Sequence, residues 1–285
     1  MATDAKSGIP GFEEREIVFR SARIRYLAAG AGPAVVLVHG LGGAAGNWRL
    51  IAPALAAAGR RVIVPDLPGH GDSAALPAAP TLDPYAEAVH AVLEAEEALP
   101  AVWVGHSLGS PIALRAAIRR PEAVRGIVLA AGAGISSSLR TGQIVVSLLS
   151  VLEPGKLVAP YRHRLSRSRL GRELTFGWWA VADPARLDPD MAEAFLAGPA
   201  GHTDTASAGK ALVTLDPREE LGLVTCPCLC LWGANDNWVP LRDGIEYARR
   251  LRAPLRTIAD CGHLLIGERP EAVLDAIQTF LVSLA

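Results

Sequence analysis

No apolar run in this 285-residue sequence reaches the roughly 20 residues that span a bilayer, which argues against a membrane-crossing helix. The opening stretch, MATDAKSGIPGFEERE, lacks the apolar segment of a secretory signal, so the expected compartment is the cytoplasm. Charge of one sign is missing too. The 28 Lys and Arg nearly cancel the 29 Asp and Glu, leaving a formal charge of -1, so no global field draws the chain to nucleic acid or an anionic membrane. The expected partner is a small molecule. Cysteine is scarce, with four in all. Cys226, Cys228 and Cys230 alternate in CPCLCLWG, which places them on one face of a strand about 7 Å apart, poorly oriented for a disulfide. The second ligand pair of a zinc site is missing as well, so these three and Cys261 read as reduced core residues and no metal is expected. Internal repeats and low-complexity tracts are also lacking.

What is present is apolar sequence with alternating periodicity. Half the residues are hydrophobic, enough for one large domain or a domain carrying an insertion. The runs at 34–40, 61–66, 101–107, 124–132, 226–233 and 254–260 are apolar throughout, as strands covered on both faces must be. Helical patterns lie between or after most of them, at 47–59, 81–99, 108–120, 241–251 and 269–285. These patterns predict an α/β protein with a mostly parallel sheet flanked by helices. Ahead of it, EIVFRSARIRYLAAG alternates about a likely turn, predicting an antiparallel hairpin at one sheet edge. From about Gly134 to Leu212 the strand rhythm stops. Helix-like pieces such as TGQIVVSLLSVL and DMAEAFLAG remain, in an interval too long for a plain connection. The expected division is a core of residues 1–133 and 213–285 and a helical subdomain of 134–212.

One short stretch carries chemistry. VWVGHSLGS, residues 102–110, sets Ser107 between two glycines where a buried strand turns into a helix. G-x-S-x-G in that context is a nucleophile elbow: the turn is strained, side chains at positions 105 and 109 would strike crossing backbone, and the hydroxyl is held out at the carboxyl edge of the sheet. The following helix N-terminus favours negative charge on a substrate oxygen. A serine nucleophile needs a base. His90 lies within a helix, and His163 and His202 lie in the insertion. His106 points to the other side of the turn and is kept only as a pocket candidate. His263, in DCGHLLIGERP, comes after the last strand and opens at the same edge as Ser107. Asp236, in LWGANDNWVP, comes after the strand before it and can fix the histidine tautomer. Asp260 and Asp243 are weaker rivals.

With LVHGLGG (37–43), DLPGHGDS (66–73), GHSLG, LWGANDNWVP (231–240) and CGHLLIGERPEAV (261–273) in this order, the chain resembles the α/β-hydrolase superfamily over everything outside the insertion. The resemblance implies an eight-stranded sheet, a triad of Ser107, Asp236 and His263, and an insertion after the sixth strand acting as a cap over the pocket. It implies that the backbone amides of Leu41 and Leu108 form the oxyanion hole, with Gly42 the near alternative to Leu41. His39, His70, Asp66 and Asp72 then organise loops.

Such a site hydrolyses esters through an acyl-enzyme and requires no metal or organic cofactor. A carboxylic ester or lactone is the expected substrate, and the alternatives are carbon-carbon cleavage of vinylogous diketones and a non-catalytic receptor of the same fold. Serine at the elbow disfavours epoxide opening and dehalogenation, which use aspartate there. Trp178, Trp179 and Trp238 are candidate pocket walls. Arg162, Arg164 and Arg167, in the arginine-rich stretch 161–172, form a candidate clamp for a substrate carboxylate or phosphate.

Overall fold

The computed structural model describes residues 8–79, 81–137, 144 and 154–284, the side chains of Pro154 and Trp178 excepted. Eight strands form one sheet: β1 (Glu13–Phe19), β2 (Ala22–Ala29), β3 (Ala34–Val38), β4 (Arg61–Pro65), β5 (Ala101–His106), β6 (Val124–Ala130), β7 (Cys228–Gly233) and β8 (Leu255–Ile258). Their spatial order is β1-β2-β4-β3-β5-β6-β7-β8. The β1–β2 and β2–β4 pairs are antiparallel and the rest parallel, so the expected hairpin edges an otherwise parallel sheet.

Both faces of the sheet are covered, which is why the central strand β3 is apolar and buried at every position. Val36, Val38 and Trp103 pack into one buried cluster, while Val35, Leu37, Val102 and Val104 pack into the other. Helices α1 (Ala52–Ala57), α2 (Asp83–Ala95) and α3 (Gly109–Arg119) connect β3 through β6. The long pattern expected over 47–59 is divided. A 3₁₀ turn at Ala45–Trp48 precedes α1, whose first turn carries Pro53, a residue tolerated there because the missing N–H has no helical partner.

Between β6 and β7 the described chain is helical: α4 (Pro154–Val158), α5 (Arg162–Arg167), α6 (Arg169–Ala180), α7 (Pro189–Ala197) and α8 (Thr205–Val213). Asp188 caps α7 by accepting the amides of Asp190 and Met191, both at 2.9 Å, and Asp204 caps α8 through the Ser207 amide at 3.0 Å. The segment TGQIVVSLLSVL, except for Ile144, lies outside the described residues. The chain ends with α9 (Leu241–Leu251), α10 (Leu265–Glu268) and α11 (Pro270–Ser283). Among the described residues no helix is long and apolar enough to cross a membrane. All four cysteines are free thiols, but β7 begins at Cys228, so Cys226 sits ahead of the strand rather than on its face. Pro227 between them has no N–H to donate to the ladder.

The chain passes from β3 out to β4 and back across to β5, so β3 and β5 are neighbours whose connections leave in opposite directions. That reversal opens a crevice at the carboxyl ends of β3 and β5, the place where open α/β sheets bind ligands.

Candidate active site

The crevice is occupied by the turn after β5. Ser107 has φ of 51°, in the left-handed region that an L-residue adopts only when its surroundings enforce it. Its amide donates to the Ala130 carbonyl at 2.9 Å, and its own carbonyl accepts from Ser110 and Ala133, both at 3.1 Å. The two glycines are required by close approach. A Cβ on Gly105 would lie 2.2 Å from the Gly109 carbonyl oxygen, and one on Gly109 would lie 2.2 Å from that of Val38 in β3.

The structure brings Ser107, His263 and Asp236 together across 156 and 27 residues of sequence. His263 Nε2 is 3.1 Å from Ser107 Oγ, and His263 Nδ1 is 2.9 Å from Asp236 Oδ2. Because a carboxylate only accepts, the proton lies on Nδ1 and Nε2 is left as the acceptor for the serine hydroxyl. The other Asp236 oxygen, Oδ1, accepts the amides of Trp238 at 2.9 Å and Val239 at 2.8 Å. All three side chains are buried, so their hydrogen bonds are little weakened by water. The rival acids are elsewhere. Asp243 accepts from the Ser136 amide and hydroxyl at 2.8 and 2.7 Å, and Asp260 is exposed.

The loop after β3 is fastened at every point except the one facing the serine. His39 donates from Nδ1 to the Gly40 carbonyl at 2.8 Å and accepts the Leu67 amide on Nε2 at 3.0 Å. Asp66 accepts the amides of Ala45 at 2.7 Å and Asp72 at 3.1 Å, and pairs with the buried guanidinium of Arg25 at 3.0 Å. The Leu41, Gly42 and Leu108 amides donate to no acceptor among the described residues, which leaves them available to a substrate oxygen.

His106 and His202 hold larger roles than their sequence positions suggest. His106 does not point away from the site: its Nε2 donates to the His263 carbonyl at 2.9 Å, and the two rings sit 5.1 Å apart. It props the loop that carries His263. His202, from the insertion, donates from Nε2 to the Gly43 carbonyl at 3.1 Å, tying the helical segment to the loop after β3. The insertion is tied to the core a second time where His263 and Leu264 donate their amides to the Ala180 carbonyl at 2.9 and 3.2 Å. Glu268 accepts from the amides of Ala182 and Gly262, at 2.7 and 2.9 Å. No local pattern marks His202 in GPAGHTD, because its partner is 159 residues away.

A cavity of about 840 Å³ lies between the carboxyl edge of the sheet and the helices after β6. Ser107, His263, Leu41, Gly42 and His106 line its floor, and Phe176, Trp179, Phe195 and Leu212 form much of an apolar wall. Trp238 also lines it, with its ring 6.4 Å from that of His263. The side chain of Trp178 lies outside the described residues. Arg162, Arg164 and Arg167 do not line the cavity, which corrects the expected clamp. Arg167 pairs with Asp190 at 2.5 Å and with Glu193 at 3.4 Å, and Arg162 donates to the Ala159 carbonyl at 3.3 Å. Asp190 and Glu193, from another helix, neutralise Arg167 where the local sequence shows no acid. Among the described residues no cluster of side chains is arranged to hold a metal ion.

Four buried histidines share one electrostatic property. Burial lowers the pKa of His39 and His70, that of His106 to about 3, and that of His202 to about 4. Each is neutral in the folded chain but titrates near 6.5 when unfolded, so the unfolded state binds more protons as pH falls. Stability therefore falls as pH drops below about 6.5, by at most about 1.4 kcal/mol per pH unit for each of His106 and His202 down to their folded-state values, and His39 and His70 act in the same direction. The raised carboxyls of Asp243 and Glu268, also displaced by burial, offset only part of this. Urea unfolding at pH 7, 6 and 5 is expected to show a midpoint that drops steeply; an unchanged midpoint between pH 7 and 5 would contradict neutral burial of these rings.

Fold, elbow and sequence order together define a class, and residues 33–270 match the family described as alpha/beta hydrolase fold. The chain belongs to the α/β-hydrolase family. It is 32% identical over 279 residues to the dihydrolipoyllysine-residue acetyltransferase component of the acetoin cleaving system of Pseudomonas putida, covering 95% of this chain and 70% of that one. It is 33% identical over 259 residues to 2-hydroxymuconate semialdehyde hydrolase of Pseudomonas sp. strain CF600, covering 87% of each. To the pimeloyl-[acyl-carrier protein] methyl ester esterase of Vibrio atlanticus it is 32% identical over 226 residues, covering 78% of this chain and 84% of the relative.

Proposed function

We propose that Ser107, His263 and Asp236 form a catalytic triad that hydrolyses a small to medium carboxylic ester or lactone. The observation that carries this reading is the unbroken hydrogen-bond chain from Ser107 Oγ through His263 to Asp236 on the floor of the cavity. In the first half-reaction Ser107 Oγ bonds to the carbonyl carbon while its proton passes to His263 Nε2, and Asp236 stabilises the imidazolium. The resulting oxyanion is held by the amides of Leu108 and of Leu41 or Gly42. Collapse expels the alcohol, which takes the proton from Nε2 and leaves an ester on Ser107. Water, deprotonated by His263, then hydrolyses that ester and the serine regains its proton. Each step uses groups of this chain and water alone.

The helices after β6 act in this reading as a cap, with residues 134–212 as its extent and the remainder of the chain as the core. Their apolar wall accommodates the acyl or alcohol chain and excludes water from the acyl-enzyme. Similarity to a methyl ester esterase supports the ester reading. The comparable similarity to a semialdehyde hydrolase favours carbon-carbon cleavage as the second reading. A screen over aryl esters of short and medium acyl chains, lactones, thioesters and dienoate diketones separates the two. Turnover of esters or lactones with kcat/KM at least about tenfold above the diketones is expected, a ratio worth about 1.4 kcal/mol. Turnover of the diketones alone would overturn the ester reading in favour of the second.

A further inference from the structure

The stretch GHLLIGERP holds a second polar group besides His263, the carboxylate of Glu268 at the end of α10. Glu268 Oε2 accepts the amide of Ala182, 86 residues away, at 2.7 Å, and that of Gly262 at 2.9 Å. Oε1 lies 3.1 Å from the same Gly262 nitrogen. One carboxylate oxygen therefore joins the segment after α6 to the residue immediately before His263. Burial raises this carboxyl above its usual range, so its place is not that of an exposed acid making an incidental contact.

The same segment holds His263 directly. Its Ala180 carbonyl accepts the His263 amide at 2.9 Å and the Leu264 amide at 3.2 Å. The approach is also close, since a Cβ on Gly262 would lie 2.8 Å from the Ala182 nitrogen and from the Val181 carbonyl carbon. Upstream, Gly177 breaks α6 with φ of 52°. Between that break and Ala180 stands Trp179, which lines the cavity. The amides of three consecutive loop residues, 262, 263 and 264, thus end on Ala180 or on the carboxylate that holds Ala182.

We infer that Glu268 is a positioning residue for His263: by holding Gly262 and Ala182 together it seats the His263 loop against residues 180–182, so that the triad geometry depends on that segment being docked. This inference rests on the triad reading of the same site. Proton transfer needs hydrogen-bond contact, so an imidazole 3.1 Å from Ser107 Oγ tolerates little displacement. Glu268 acts on where the imidazole stands and takes no part in the chemistry.

The test compares kcat and KM of the full chain and its variants on p-nitrophenyl butyrate, with the fold followed by circular dichroism and urea unfolding. Glu268→Ala should lower kcat about tenfold or more and move KM less than about threefold, because the base is misplaced while the apolar wall remains. Glu268→Gln keeps a side-chain oxygen where the two N–H groups converge, and should restore kcat to within about threefold of the unaltered chain. Gly262→Ala leaves Glu268 in place but wedges the loop off the segment, and should lower kcat in the same way. Glu96→Ala is the control for lost stability. That carboxylate holds Arg15 at 2.9 Å, the Tyr26 hydroxyl at 2.7 Å and Arg61, the first residue of β4, at the sheet edge opposite Ser107. Its loss should lower the urea midpoint and leave kcat unchanged.

An unchanged kcat in Glu268→Ala or in Gly262→Ala overturns the inference. So does a change confined to KM, which would make Glu268 a support for the cavity wall, or an equal loss in the Gln and Ala variants, which would make its charge the active property. Should Glu268→Ala not fold, the Gln and Gly262→Ala variants decide by the same criteria. An active unaltered chain with indifferent variants fails the inference and leaves the triad reading standing. An unaltered chain that neither turns over the ester nor takes up a fluorophosphonate fails both.

Discussion

Replacing Ser107 by alanine is expected to lower kcat/KM towards a short aryl ester by about 10⁴-fold or more, because among the described residues Ser107 is the hydroxyl hydrogen-bonded to His263 Nε2. Ser107 Oγ is the atom that His263 Nε2 faces at 3.1 Å, and its removal leaves the base with nothing to activate but water. The fold should be indifferent to the change. Serine and alanine meet the same penalty at φ of 51°, and the structure shows Ser107 held by its backbone, through Ala130, Ser110 and Ala133. Circular dichroism and the urea midpoint should therefore match the unaltered chain. A loss of activity that came with a loss of structure would point to a scaffolding role for the residue instead.

The second large effect is expected at Gly109. A methyl group there must occupy space 2.2 Å from the Val38 carbonyl oxygen and 2.8 Å from its carbonyl carbon, and both belong to a central strand. Backbone in the middle of a sheet cannot withdraw as a flexible side chain would, so Gly109→Ala is expected to separate α3 from β3 and cost about 3 kcal/mol or more of stability. Gly222 is the control. A Cβ at Gly222 meets nothing within 4 Å, and Gly222→Ala should change the urea midpoint little. Comparable midpoints for the two variants would show that the elbow is looser than its geometry implies.

These two positions also show why so much of the site is legible in the sequence. An elbow needs small residues at fixed offsets from the nucleophile, and buried parallel strands need uninterrupted apolar runs, so both requirements are written locally. Chain order then supplies the rest: Asp236 and His263 lie in the loops after β7 and β8, and parallel strands deliver those loops to one edge of the sheet. Interactions made by side chains across the fold are written nowhere locally. His106 reaches the His263 carbonyl and His202 reaches Gly43, and neither pairing leaves a spacing to recognise.

The arginine-rich stretch illustrates the opposite error. Its density of positive charge invites a binding role, but Asp190 and Glu193 of α7 neutralise Arg167 from a different helix. Among the described residues, Lys156 and Arg242, isolated in sequence, are the Lys and Arg that line the cavity. Charge density along the chain and charge density around a cavity are separate quantities, and only the fold relates them.

The central claim is that Ser107 is an activated nucleophile, and the most direct measurement is covalent labelling by a fluorophosphonate, with the adduct located by intact mass and peptide mapping. The folded chain is expected to gain a single adduct on Ser107, and Ser107→Ala to gain none. His263→Ala should label at least about 10²-fold more slowly, since proton removal by the base is lost. A correctly folded chain that is not labelled, or equal labelling of Ser107→Ala, would contradict the account.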